Sequence, residues 1–200
     1  MCPPRPSDRP LQQRIARWTY PYAPVAAATF LLGALLGGVA VALTPPDALQ
    51  GLAASSLGTD PFPDRITTWT VFRNNVVVLG IVALGAGTFA ATTVFALLFN
   101  GFLLGAVAAG SGDLLVTLAL VLPHGVFELG AFFLVAGAAY RVTWRLVAYL
   151  RGVDDRPLTR PEAVEAVAIL LVGVAVLALA AWIEATLTLP IARALTGVGG

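Results

Sequence analysis

The sequence feature that most constrains the fold is the stretch from Val76 to Gly112, which contains no ionisable side chain. A helix rises about 1.5 Å per residue, so a bilayer core of about 30 Å needs about 20 apolar residues. The stretch is therefore too long for one spanning helix. Glycines near its middle mark a turn and predict two spans, at 74–89 and 91–110. A re-entrant pair of helices is the alternative.

Three further apolar stretches have spanning length: residues 23–43, 114–139 and 162–188. Thr159-x-x-Glu162 is a capping-box pattern that starts the last of them. With 58% hydrophobic and 12% charged residues, the chain lies far from the average soluble protein. The sequence predicts an all-α, polytopic transmembrane helical bundle with about five membrane helices, which form a single domain over 23–188.

The arginines predict how the bundle is oriented. They concentrate in the N-terminal tail, residues 1–22, and in the segment 140–161, which is expected to be a loop. Basic residues next to spans favour the cytoplasmic side, and five spans put both segments there. The sequence therefore predicts a multi-pass cell (plasma) membrane protein with a cytoplasmic N-terminus and a short extracytoplasmic tail at 189–200.

The N-terminal tail also contains a helical pattern. Leu11, Ile15, Trp18 and Tyr22 recur at helical spacing, whereas the arginines and glutamines fall on other faces. This is typical of a short helix that lies on the membrane surface. Basic residues that only set the topology are the alternative.

Ionisable groups inside spans are costly and usually face a partner or a cavity. His124 and Glu128 lie four positions apart, so they share one face of a helix. A divalent cation site, a proton relay and a structural hydrogen bond remain open as interpretations. The cation site lacks ligands, because His124 is the only histidine and Glu184 is near the outer end of the last helix. Pro123 and Gly125 predict a kink and a close approach here.

Amides and small residues are the other unusual features of the spans. Three asparagines need hydrogen-bond partners where water is scarce: Asn74, Asn75 and Asn100. Either they form hydrogen bonds between helices, or they line a polar cavity together with His124 and Glu128. Two small-residue patterns suit close helix packing or dimerisation: Gly33-x-x-x-Gly37 and Gly101-x-x-x-Gly105.

Together these motifs resemble the stage II sporulation protein M family. The most specific part is the run Leu122-Pro123-His124-Gly125-Val126-Phe127-Glu128-Leu129, with Asn74-Asn75 and Asn100-Gly101 in the preceding spans. The resemblance implies that these asparagines, Gly101, Pro123, His124, Gly125 and Glu128 form a common polar centre, and it implies no catalytic mechanism. Taken alone, the resemblance implies the role of the family's namesake, a membrane scaffold that works with two peptidoglycan-degrading enzymes during engulfment of the forespore. Members also occur in organisms that never sporulate, so that role is not carried over.

The function predicted from sequence is a non-enzymatic membrane scaffold or assembly protein. The alternative is a small transporter or channel-like protein that uses the polar centre as its ion or substrate site. An intramembrane hydrolase would need a nucleophile, for which Ser111 is the only weak candidate. No catalytic residue, metal or other cofactor is predicted. The expected partners are the lipid bilayer, other membrane or envelope proteins and a second copy of the chain, and the net charge of +1 gives no indication of nucleic acid.

Overall fold

The computed structural model describes residues 11–45, 67–111, 114–188, 190–191 and 194. Within them the chain forms six α-helices and one π-helical turn, without strands. The elements are α1 (Leu11–Thr19), α2 (Ala23–Leu43), α3 (Thr68–Leu84), α4 (Ala91–Gly110), α5 (Leu114–Leu150), α6 (Arg160–Ile183) and the π turn (Glu184–Thr188). The first ten residues of the predicted basic tail and most of the predicted tail at 189–200 lie outside the described residues.

The helices confirm the predicted membrane bundle. In the described part, four are long and apolar enough to cross a bilayer: α2, α4, α5, and α6 with its π turn. The apolar helix α3 has 17 residues and is shorter. It begins before the predicted span 74–89, because Thr67 caps it by accepting a hydrogen bond from the Thr70 amide at 3.2 Å. It ends at Leu84, where the turn at 85–90 begins.

The prediction of a loop over 140–161 was wrong for its first half, because α5 continues from the predicted span 114–139 to Leu150. No glycine or proline interrupts the sequence between Gly137 and Gly152. Gly152, at φ +70°, then ends the helix, and the Val153 amide donates to the Ala148 carbonyl at 2.9 Å. This is a Schellman ending, which glycine favours because it adopts the left-handed conformation without strain.

The two predicted glycine patterns pack against each other. Gly33 and Gly37 on α2 face Gly101 and Gly105 on α4, and the helix backbones are in direct contact there. A β-carbon at Gly37 would overlap the Phe102 carbonyl, and one at Gly101 would overlap the Phe30 carbonyl. Small residues allow this approach, which gains dispersion and weak polar contacts in a lipid environment. Both patterns are therefore used within one chain.

The turn at 85–90 lies at the same end of the bundle as α1. The Thr143 hydroxyl donates to the Gly85 carbonyl at 3.1 Å. Thr143 lies two residues after Arg141, which contacts Trp18 of α1. Buried Thr93 joins the two sides of the turn by donating to the Val82 carbonyl at 2.7 Å. We call this end of the molecule the α1 end; the opposite end carries the start of α3, the start of α5 and the π turn.

Candidate functional site

The polar centre lies between α3, α5 and the end of α6. His124 and Glu128 are one turn apart on α5, as predicted from their spacing, and the chain brings Glu184 against them. Each of the three side chains offers a ligand atom, and these atoms lie within 4.8 Å of one another. His124 Nε2 is 3.8 Å from Glu184 Oε2. Two carboxylates and the only imidazole of the chain therefore meet at one place.

Two side chains of the π turn reach the same histidine. Glu184 and Thr188 lie four positions apart, about one helical turn, and both face His124 of α5. The Thr188 hydroxyl is buried and lies 3.3 Å from His124 Nδ1. The imidazole is thus held between Thr188 on its Nδ1 side and Glu184 on its Nε2 side.

The predicted asparagines behave differently from one another. Asn75 on α3 donates its side-chain amide to Glu128 Oε1, which joins a third helix to the centre. Asn100 donates to the Ala96 carbonyl of its own helix at 2.7 Å. Asn74 is exposed. The structure therefore brings His124, Glu128 and Asn75 together, and it adds Glu184 and Thr188 to them.

Pro123 and Gly125 lie in α5 next to His124. Pro123 stands inside a continuous helix and has no amide to donate to the Ala119 carbonyl, one turn earlier. Gly125 is buried, but a β-carbon there would meet only Val121 of the same helix, at 3.2 Å, among the described residues. The expected close approach of another helix at Gly125 is therefore not found in the described chain.

The polar centre lies well below the surface of the bundle, measured from the end opposite the α1 end. His124 is about 15 Å along α5 from Leu114, and Asn75 is about 10 Å along α3 from Thr68, at roughly 1.5 Å per residue. Side chains at this depth are surrounded by apolar helices, where a charge needs a partner, a proton or an ion. Such a cluster can exchange protons or hold a cation.

A family model matches most of the chain and so shows the family to which it belongs. The family model described as "SpoIIM: Stage II sporulation protein M" matches residues 26–189. The chain belongs to the stage II sporulation protein M family. The match includes the polar centre and the whole of α6, whereas α1 precedes it. No curated protein and no solved structure matches the chain.

A second polar cluster, which the sequence did not predict, lies at the α1 end of this stage II sporulation protein M family member. Trp18 of α1 is fully buried, and its indole Nε1 donates to Glu165 Oε2 of α6 at 2.6 Å. The Arg141 guanidinium lies 4.7 Å from the centre of the Trp18 ring, which is a cation–π contact. Arg17 is 3.7 Å from the same Glu165 oxygen. The predicted surface helix is thus attached to the bundle by its tryptophan.

Ion pairs extend this cluster to the segment between α5 and α6. Arg145 bonds Asp154 at 2.6 Å and lies 3.6 Å from Glu162, which is also 3.6 Å from Arg141. Glu162 accepts from the amide and the hydroxyl of Thr159, at 3.1 and 2.9 Å, so the predicted capping box is present. Two of the arginines expected in a loop therefore link α5 to the start of α6 in the stage II sporulation protein M family fold.

Proposed function

We propose that this member of the stage II sporulation protein M family is a non-enzymatic scaffold or assembly protein of the cell membrane. The observation that carries the proposal is the attachment of α1 to α5 and α6 through Trp18, which gives the α1 end a fixed surface. We call this surface, formed by α1, residues 140–150 and residues 151–159, the platform. A fixed surface suits a scaffold, because preorganised binding groups lose less conformational entropy when a partner binds.

The exposed residues of the platform have the composition of a binding surface. Large apolar side chains remain exposed on it, including Trp144 and Val153, at 64% and 76% of their surface. Arg151 and Arg156, in the same segments, are exposed as well. Aromatic residues and arginine are enriched in protein interfaces. A membrane or envelope protein with an acidic, partly apolar surface would fit these groups.

The distribution of arginine supports a cytoplasmic platform. Arg17, Arg141 and Arg145 lie at the α1 end, together with the arginines of 151–160. Basic residues next to spans favour the cytoplasmic side. We therefore propose a cytoplasmic N-terminus and an extracytoplasmic end for the π turn. A homodimer, if it forms, uses a surface other than the two glycine patterns, which contact each other within the chain.

The scaffold proposal is tested by crosslinking in native membranes with a tagged full chain. The platform variant replaces Arg151 and Arg156 by Gln. The matched control replaces Arg73 by Gln, because Arg73 is exposed and lies near the start of α3, at the end of the bundle opposite the platform. We expect one partner to be recovered with the wild type and the control, and to be lost with the platform variant. Recovery of the chain alone, or equal recovery with all three proteins, would contradict the proposal.

A transporter or channel-like protein is the second candidate, and the convergence of His124, Glu128 and Glu184 favours it. Transport sites in helical membrane proteins often lie near the middle of the bilayer at broken helices. The combined variant His124→Gln and Glu128→Gln, reconstituted in liposomes, should then lose cation flux. A flux unchanged by these two substitutions would argue against a transport site at the polar centre.

A further inference from the structure

The polar centre contains the donor groups of a metal site, supplied by three different turns of the chain. His124 and Glu128 come from α5, and Glu184 comes from the π turn. We propose that these three side chains bind one divalent first-row transition-metal ion, with Zn²⁺ as the ion that fits best. The proposal is independent of the scaffold role, because it concerns the opposite part of the bundle.

The distances suit an ion after small movements of the side chains. Zn²⁺ binds nitrogen and carboxylate oxygen at about 2.0–2.2 Å, so the ligand atoms of a tetrahedral site lie about 3.4 Å apart. The ligand atoms here lie within 4.8 Å of one another, and His124 Nε2 is 3.8 Å from Glu184 Oε2. Rotations of two flexible glutamate side chains close that difference without movement of a helix.

The orientation of the histidine points to the same conclusion independently. Ligating histidines normally have their second ring nitrogen held by a hydrogen-bonding group, which fixes the ring and its tautomer. Here Thr188 holds Nδ1, and Nε2 is directed at Glu184. Asn75 holds one oxygen of Glu128, which leaves the other oxygen for the ion. The ring of His124 is therefore oriented by its neighbour, and Glu128 is held at one oxygen while its other oxygen can turn toward the ion.

A divalent ion is one of two ways to neutralise this cluster, and protonation of the carboxylates is the other. A neutral imidazole and two carboxylates carry a total charge of −2, which is costly among apolar helices. One divalent cation brings the total to zero. Among the described residues, the contacts of these three side chains are with one another, Asn75 and Thr188, and include no arginine. A bound ion would therefore allow both carboxylates to stay ionised among apolar helices.

The donor set selects the class of metal. One imidazole nitrogen and two carboxylate oxygens suit borderline first-row ions such as Zn²⁺ and Mn²⁺, whereas thiolate sites select softer ions. Affinity in such sites generally rises from Mn²⁺ to Zn²⁺. Three protein ligands leave a fourth position for water or another ligand. A bound ion would also join the middle of α5 to the end of α6 directly.

The test uses the purified full chain in lipid nanodiscs, stripped with a chelator and titrated with Zn²⁺ alone. We expect one Zn²⁺ per chain by calorimetry and elemental analysis. Glu128→Gln and Glu184→Gln should each weaken binding by more than about 100-fold, since loss of an outer-shell partner alone costs about 10–100-fold. Asn75→Ala removes such an outer-shell partner and should weaken Zn²⁺ binding by about 10–100-fold. Asp155→Asn, an exposed carboxylate of the platform, is the matched control and should bind as the wild type does.

A second measurement needs no variant and so cannot be confused with misfolding. Zn²⁺ should raise the thermal unfolding temperature of the wild type, and a chelator should reverse the shift, because a ligand that binds only the folded state stabilises it. Co²⁺ should give the visible absorption of a four-coordinate site. Binding below one ion per two chains, or equal affinity in the Gln variants and the control, would overturn the proposal.

Discussion

Trp18 and Glu165 are joined by a hydrogen bond of 2.6 Å, although 147 positions of sequence separate them. The indole nitrogen is the donor, and the carboxylate belongs to the second turn of α6. Trp18 is fully buried, and the Arg141 guanidinium covers its ring. The short helix α1 is therefore part of the folded bundle at this end.

This contact makes Trp18→Phe a destabilising substitution. Phenylalanine retains most of the apolar surface but leaves Glu165 without the indole donor. A hydrogen bond to a charged group is worth about 1.5–3 kcal/mol, so the free energy of unfolding should fall by roughly that amount. The measurement is thermal or denaturant unfolding of the full chain in one detergent.

Trp144→Phe is the control for that experiment, because Trp144 lies at the same end but is 64% exposed. Its effect should stay below about 0.5 kcal/mol, as for most surface substitutions. Equal stability of the Trp18 and Trp144 variants would mean that the indole bond contributes nothing to the attachment of α1.

The glycine contact between α2 and α4 leads to a second prediction. Gly37→Ala and Gly101→Ala each place a β-carbon on the backbone of the opposing helix. Overpacking of this kind costs about 1–3 kcal/mol, and more where the backbone must move. Unfolding in detergent should show that loss for both variants, with no change in the mass of the particle.

Gly80 and Gly130 provide the controls for the glycine experiment. A β-carbon at either position has no neighbour within 4 Å among the described residues. Gly80→Ala and Gly130→Ala should therefore be neutral, or stabilising through the higher helix propensity of alanine. If they destabilised the chain as much as Gly37→Ala, helix packing would not be the cause.

Much of the bundle could be predicted because its determinants are local. Apolar length gave the spans, and the pattern Thr159-x-x-Glu162 gave the start of α6, since a capping box depends only on nearby residues. The end of α5 was placed too early because the charge of Arg141 and Arg145 suggested a loop. Those arginines are satisfied by Glu162 and Asp154, which is a tertiary relationship that helix periodicity does not contain.

The polar centre could be predicted only in part for the same reason. His124 and Glu128 share a helix, so their spacing is enough to place them together. Glu184 and Thr188 meet them through the packing of the end of α6 against α5, a tertiary contact that the spacing within one helix does not contain. Asn100 illustrates the opposite error, since its amide has a local partner in the Ala96 carbonyl and needs none from another helix.

Buried Thr93 provides a third prediction, at the turn between α3 and α4. Its hydroxyl donates to the Val82 carbonyl at 2.7 Å. Thr93→Val keeps the shape and removes this donor, while the Val82 carbonyl still accepts from the Gly85 amide at 3.1 Å. The free energy of unfolding should therefore fall by about 0.5–1.5 kcal/mol, the net value of one hydrogen bond. Thr186→Val is the control, because among the described residues the exposed Thr186 hydroxyl donates locally, to the Trp182 carbonyl four positions earlier at 2.6 Å. A loss as large in the control would show that the turn contact is not special.

The last prediction concerns topology, and single cysteines test it in a Cys2→Ser background. The exposed turn residue Thr88 and the exposed Val153 lie at the α1 end, whereas Ser111 lies at the opposite end. If α3 and α4 both cross the bilayer and the platform is cytoplasmic, a membrane-impermeant maleimide will label Ser111→Cys in intact cells. It will label Thr88→Cys and Val153→Cys only after permeabilisation.

Thr88 is the residue that separates the two arrangements of α3 and α4. A re-entrant pair would leave the turn at 85–90 within the bilayer or open to the extracytoplasmic side, while Ser111 and Val153 would react as before. The bond from Thr143 to Gly85 ties this turn to the part of α5 next to Arg141, whose charge belongs outside the hydrocarbon core. We therefore expect Thr88→Cys to react together with Val153→Cys, and labelling of Thr88→Cys in intact cells would show that α3 and α4 do not both span the membrane.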